Sequence, residues 1–233
     1  MQTADSLALL LVSRQYPFRV IREPPLYPLP FKKFALIKDL YRHAFIRSTH
    51  PEHENTCVLI DNVGSFNQSL RAFRKHGITD DELIEHAMFL ISYFSNVLDP
   101  RPFPHGRLVR VFDLSGFRLS HASNLRAMRL GLRLTMMAEK YFPERLRDVI
   151  VINAHPFAIG VYNRLIRGLL HERTRNKFQF HADDAILYEM LDKDQVNWQR
   201  VVSPEETAMC DFVQQQDSSS ASTSQDGLPD KPE

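Results

Sequence analysis

Residues 107–124 read RLVRVFDLSGFRLSHASN, and the first half of that stretch decides the fold. LVRVFDL, at 108–114, is an apolar run rich in strand formers that enters a turn at Ser115-Gly116, which predicts a strand. Working outward, DVIVIN at 148–153 and CVLID at 57–61 are short β-branched runs, predicted as buried strands, and 177–180 is a further short one. Between them the spacing turns helical. Thr79-Asp80-Asp81-Glu82 has the form of a capping box, in which the threonine and the glutamate satisfy backbone donors reciprocally. Leu83, Ala87, Leu90, Ile91, Phe94 and Leu98 then keep a helical period until Pro100. A long helix is predicted from about 122 to 140, with Leu125, Met128, Leu132 and Met136 as its apolar stripe. Further helices are predicted over 31–46, 157–170 and 184–191. Strands alternating with helices from 57 to 191 imply an α/β fold with a mostly parallel sheet flanked by helices.

The two ends read differently. Pro17, Pro24, Pro25, Pro28 and Pro30 make residues 1–30 a proline-broken arm, with a short helix at about 4–14. The folded domain is expected over 31–213. Residues 214–233, QQQDSSSASTSQDGLPDKPE, carry almost no apolar side chains and are expected to be a disordered acidic, serine-rich tail.

Composition excludes several classes. No apolar run approaches the roughly 18–20 residues of a membrane span. The apolar start at 7–12 lacks the basic flank of a secretory leader. Two cysteines rule out a disulfide framework and suit a cytoplasmic setting. Net charge is only +1, so no nucleic-acid partner is expected. The charge is nonetheless zoned: residues 101–180 hold 15 basic and 5 acidic side chains, and residues 181–233 hold 3 and 12. A basic middle before an acidic end suits an anionic surface as partner; an arginine-rich solvated surface fits equally well. The acidic tail leaves room for a protein partner.

No phosphate-cradling loop, dinucleotide fingerprint or nucleophile elbow occurs, and glycine is scarce, at 8 of 233 residues. His50, His53 and Cys57 lack a recognised ligand spacing and a fourth ligand, so no metal site is expected. No carboxylate pair sits at acid/base spacing. The chain is not expected to be an enzyme.

Three segments, taken in order, carry a resemblance: RLVRVFDLSGFRLSHASN, YFPERLRDVIVINAHPF and LIRGLLHERTRNKFQFH, within 107–181. They resemble the CRAL-TRIO family of lipid-binding and lipid-transfer proteins. That family has a "DLxG" turn, a "YPER" before a strand ending "INAP", a mobile gate helix and a "TxxK" leading into a strand. The counterparts are Asp113–Gly116, Tyr141–Arg145, Ile152–Ala154 and Thr174–Lys177. The resemblance extends weakly upstream over 57–98. It implies a sheet and helices enclosing an apolar pocket closed by a mobile amphipathic gate helix. It also implies sequestration and exchange of one hydrophobic ligand, with no cofactor besides that lipid.

The branch of the family that exchanges phosphatidylinositol implies more. Glu144, Arg145, Thr174 and Lys177 fall on its head-group positions. A carboxylate accepts from inositol hydroxyls, while ammonium, guanidinium and hydroxyl donors suit a phosphate. Surface-charge roles for Glu144 and Lys177 stay open. Members that also carry phosphatidylcholine present hydroxyls where this chain has Leu108 and Arg110. Poor binding of phosphatidylcholine is therefore expected, with Arg110 available to an anionic ligand group. The three-helix domain common before the lipid domain has no counterpart in the proline-broken start, and His155 stands between Ala154 and Pro156.

The expected gate, 157–170, offers Phe157, Val161, Leu165, Ile166 and Leu169 as apolar contacts. Gly160 and Gly168 suit either hinges or close helix–sheet packing. Arg164, Arg167, Arg173 and Arg175 would face an anionic membrane during transient peripheral docking. Three readings follow: a soluble carrier of phosphatidylinositol, a carrier of a nonpolar hydrophobe of tocopherol or retinoid type, or a degenerate family member acting as a protein-interaction module.

Overall fold

The computed structural model describes residues 33–118, 121, 124–142, 144–200 and 202–222. The arm before residue 31, the helix expected at 4–14 and residues 223–233 lie outside the described residues.

Five strands form one sheet in chain order: β1 (His43–Arg47), β2 (Cys57–Asp61), β3 (Leu108–Asp113), β4 (Leu146–Ile152) and β5 (Phe178–Phe180). β1 pairs antiparallel with β2, placing His43 opposite Asp61 and Arg47 opposite Cys57. The other three pairings are parallel. This follows from the connections. The short loop after Arg47 only allows a reversal, whereas each later link contains helices long enough for a crossover.

The start of the domain differs from the sequence expectation. The helix predicted over 31–46 is two elements, α1 (Phe34–Leu40) and β1. Phe34 and Ile37 keep helical spacing and are buried, but Ala44, Phe45 and Ile46 are buried in succession, as only an enclosed strand allows. A helix that the sequence reading passed over, α2 (Phe66–Lys75), follows β2. α3 (Asp80–Tyr93) starts at the expected capping box: Thr79 N donates to Glu82 Oε2 at 2.7 Å and Glu82 N to Thr79 Oγ1 at 3.2 Å. A π-helical turn, Phe94–Leu98, carries it to the prolines.

The long helix α4 (Leu125–Tyr141) is where predicted but turned about its axis. Leu130, Met137 and Tyr141 face the core, while Leu125 and Met136 of the expected stripe are 63% and 60% exposed. Two ion pairs tie this orientation to α3. Arg126 Nε reaches Asp80 Oδ1 at 2.7 Å, and Arg133 Nη1 reaches Asp81 Oδ1 at 2.7 Å, both at the start of α3. The helix thus carries two apolar stripes, one buried and one exposed.

The expected gate helix is broken into three turns: α5 (Pro156–Val161), a π-helical turn (Tyr162–Ile166) and a 3-10 turn (Arg167–Leu169). α6 (Glu172–Arg175) leads into β5. The helix expected at 184–191 shrinks to α7 (Leu187–Met190), followed by α8 (Lys193–Val196).

The last helix, α9 (Pro204–Ser222), runs past residue 213, where the folded domain was expected to end, and continues to Ser222. Its first turns are anchored. Ser203 Oγ caps Glu206 N at 3.1 Å and also donates to the Phe45 carbonyl, Glu206 pairs with Lys38, and Met209 and Val213 are buried. Once a first turn is fixed, propagation into polar residues costs little.

Strand alternation gives the sheet two different faces. The back face, with Ile46, Val58, Ile60, Val109, Val111, Ile150 and Ile152, is sealed by Leu187, Met190, Leu191, Val196 and Trp198. The front face is covered in two parts. Phe45, Cys57, Leu59 and Leu108 meet α3 through Phe89, Leu90, Tyr93 and Phe94, and meet α9 through Met209 and Val213. Val149 and Val151, with Phe112, Phe178 and Phe180 beside them, meet the gate through Ile159.

Candidate functional site

Between these two covers, the middle of the front face stays accessible. β3 is the central strand, and Val109 and Val111 on its back are buried, yet Arg110 and Phe112 on its front are only half-buried. A central strand with helices over both faces normally hides every side chain. Solvent therefore reaches these two side chains, between the part of the front face under α3 and α9 and the part under the gate.

This part of the front face is polar at one place. Arg110 Nε donates to Asp61 Oδ2 at 2.8 Å, and its guanidinium carbon lies 4.9 Å from the Phe112 ring centroid. Asp61 is buried, so this pair neutralises a carboxylate that would be costly alone. Beside it lie two buried histidines. His43 Nδ1 meets the Tyr41 carbonyl at 2.9 Å, which makes that nitrogen the protonated one and leaves Nε2 to accept from His86 Nε2 at 3.3 Å. Burial pushes His43 down to about 4 and His86 well below the usual imidazole range, so both are neutral. Burial, then Asp61, drives the Tyr41 hydroxyl upward. None of Asp61, His43 and His86 was marked by the sequence reading. The one available signal was a carboxylate closing an otherwise apolar strand, CVLID.

Glu144, Thr174 and Lys177 come together at the lower ends of β4 and β5. Lys177 Nζ donates to the Leu146 carbonyl at 2.6 Å, and its backbone N–H to the Thr174 carbonyl at 3.1 Å. Thr174 is buried in α6, whose start is capped by His171: Nδ1 accepts from Arg173 N at 3.3 Å. Arg173 Nη1 in turn reaches Glu144 Oε1 at 3.1 Å. Glu144 is exposed and holds a left-handed backbone, φ 64°. Arg145 does not join this group. Its Nη1 donates to the Arg101 carbonyl at 2.7 Å and the Gly106 carbonyl at 2.8 Å, so it fastens the loop before β3. Burial lowers its pKa, with Asp99 opposing.

The Asp113–Gly116 turn proves to be scaffold. Asp113 Oδ1 accepts from Ser115 N at 2.8 Å and Asn153 Nδ2 at 2.9 Å, and Oδ2 accepts from Gln199 Nε2 at 3.2 Å. Gly116 turns at φ 80°, and a Cβ on Gly64 would lie 2.0 Å from the Ser115 carbonyl oxygen.

The gate rests on the sheet through Ala158, Ile159 and Tyr162, the Tyr162 ring lying 4.8 Å from Phe178 and 4.9 Å from Phe180. Its other side is a stripe of residues four apart. Phe157, Leu165 and Leu169 are 36%, 46% and 59% exposed, with Val161 half-buried within the stripe and Ile166 half-buried beside it. Arg164, Arg167 and Arg173 are exposed around this stripe and Arg175 is half-buried. A Cβ on Gly160 or Gly168 would meet nothing within 4 Å, which removes the close-packing reading of these glycines. No helix among the described residues is long and apolar enough to cross a membrane. Nor do three metal-ligating side chains gather there.

A five-strand mixed sheet with helices packed on both faces defines an α/β domain. Residues 42–198 match the CRAL/TRIO domain, and the chain belongs to that family, whose members bind and transfer lipids. Among solved structures it resembles the crystal structure of Sfh5, with a TM-score of 0.57 and 17% sequence identity. The similarity covers 76% of this chain and 64% of Sfh5, so the chain spans less than two thirds of that protein. No curated protein sequence matches the chain.

Proposed function

We propose that the protein sequesters one lipid in a cleft over the front of the sheet and exchanges it at anionic membranes, and that the lipid is phosphatidylinositol. The observation that carries this reading is the half-buried pair Arg110 and Phe112 on a central strand whose reverse is sealed. A protein interior is normally filled to crystal-like density; an accessible centre beneath covering helices is room for a ligand. The grouping of Glu144, Thr174 and Lys177 at the lower ends of β4 and β5 supports an inositol phosphate there. It supplies an acceptor for ring hydroxyls and donors for the phosphate, the partners a buried head group needs.

The gate stripe suits an interfacial position, and α4 adds two further exposed apolar side chains, Leu125 and Met136. The arginines around the gate each contribute roughly 1 kcal/mol near an anionic surface. Docking is peripheral and reversible, from the cytoplasm.

Mass spectrometry of lipid extracted from the purified protein tests the reading. Phosphatidylinositol is the expected cargo, and Lys177→Ala should abolish its exchange between vesicles without unfolding the domain. A neutral isoprenoid would instead favour the nonpolar carrier, and protein free of lipid the interaction module.

A further inference from the structure

We propose that Arg110 is the cleft's recognition residue for an ester carbonyl, so that the protein selects diacyl glycerolipids over their dialkyl ether counterparts. This rests on the phosphatidylinositol reading and deepens it. Among the described residues, Asp61 is the hydrogen-bond partner of the Arg110 guanidinium, through Nε alone. The two Nη groups keep their donors, on a side chain 18% exposed at the middle of the sheet. That exposure faces the cleft, because the side chain points to the front of the central strand.

Charge decides what those donors take. Asp61 already balances Arg110, so a second carboxylate or phosphate would be drawn to the arginine and repelled by Asp61 at the same time. An uncharged acceptor meets no such penalty. Within a glycerolipid the strong uncharged acceptors are the ester carbonyl oxygens; ether oxygens are weaker and more shielded. Position agrees. Arg110 stands in register with Val149, three residues along β4 from Leu146, whose carbonyl holds Lys177 Nζ. Three strand residues span about 10 Å. A span of that order is one that the phosphate and ester groups of a single glycerophospholipid can bridge. Phosphate at Lys177 and ester at Arg110 therefore fit one molecule. The Phe112 ring, 4.9 Å from the guanidinium carbon, gives it a cation–π neighbour on the same strand face.

The test offers the whole protein phosphatidylcholine vesicles doped with diester or diether phosphatidylinositol of equal chain length, and measures lipid captured by mass spectrometry. Wild type should take the diester about tenfold or more in preference, the worth of one hydrogen bond to a charged donor. Arg110→Lys keeps the ion pair with Asp61 but trades the guanidinium's fixed fork for an ammonium's rotating donors, and should weaken the preference while still capturing lipid. The double variant Arg110→Leu/Asp61→Leu removes the pair without stranding a buried charge and should bind both forms alike. Equal capture of both forms by wild type overturns the ester subsite and leaves the phosphatidylinositol reading standing. A preference that persists undiminished in the variants overturns the assignment to Arg110. Capture of neither form overturns the phosphatidylinositol reading and the subsite together.

Discussion

Asn153 holds a left-handed backbone, φ 54°, and from there donates one hydrogen bond to Asp113 Oδ1 at 2.9 Å and one to Ser115 Oγ at 2.9 Å. The two residues close β3 and β4 and lock their upper ends at one height. Asn153→Ala removes both bonds, strains a conformation asparagine tolerates, and leaves a buried carboxylate short of a donor. The expected loss is about 1–3 kcal/mol, read as a lower urea midpoint. Asn153→Gly restores the backbone freedom and should recover part of it.

The neutral pair His43 and His86 makes stability depend on pH. Burial holds both imidazoles below the ordinary value of 6.5, His43 at about 4. The unfolded chain therefore binds more protons than the native one between those limits. Stability is fully present above about pH 6.5 and falls as pH drops toward about 4. Thermal midpoints measured across this window should decline. The double variant His43→Asn/His86→Asn should flatten the decline, and an unchanged slope would move its cause elsewhere.

Arg145 and Lys177 are separable by mutation although both lie where the head group was expected. Arg145→Ala frees the loop that its Nη1 ties at Arg101 and Gly106. It should cost about 1–3 kcal/mol of stability and leave lipid capture per folded molecule unchanged. Lys177→Ala should do the reverse.

The gate stripe and its arginines act through different forces. Leu165→Asp with Leu169→Asp should abolish sedimentation with every vesicle, since it removes the exposed apolar contact. Arg164→Glu with Arg167→Glu should weaken binding to phosphatidylserine vesicles only, and added salt should reproduce that loss in wild type.

Much of the frame was legible. CVLID is β2 to the residue, and the Thr79–Glu82 box opens α3 as drawn. Short-range chemistry decides both. What escaped needed partners from far along the chain. The orientation of α4 is tied to Asp80 and Asp81, more than forty residues earlier. β1 looked helical because its neighbour β2, which buries it, is invisible to local spacing. The gate's break into three turns coincides with Tyr162 lying against Phe178 and Phe180, a contact no periodicity announces. Around the candidate site, Glu144, Thr174 and Lys177 were singled out by motif and Arg110 by its odd place in a strand, while Asp61, its hydrogen-bond partner, was not.

The rims of the sheet carry one last consequence. β5 spans only Phe178–Phe180, too short to template another chain. The outer carbonyls of β1 are occupied, Phe45 O by Ser203 Oγ and Arg47 O by Gln195 Nε2 at 2.8 Å. A sheet with rims so closed offers copies of the chain no strand to zip onto.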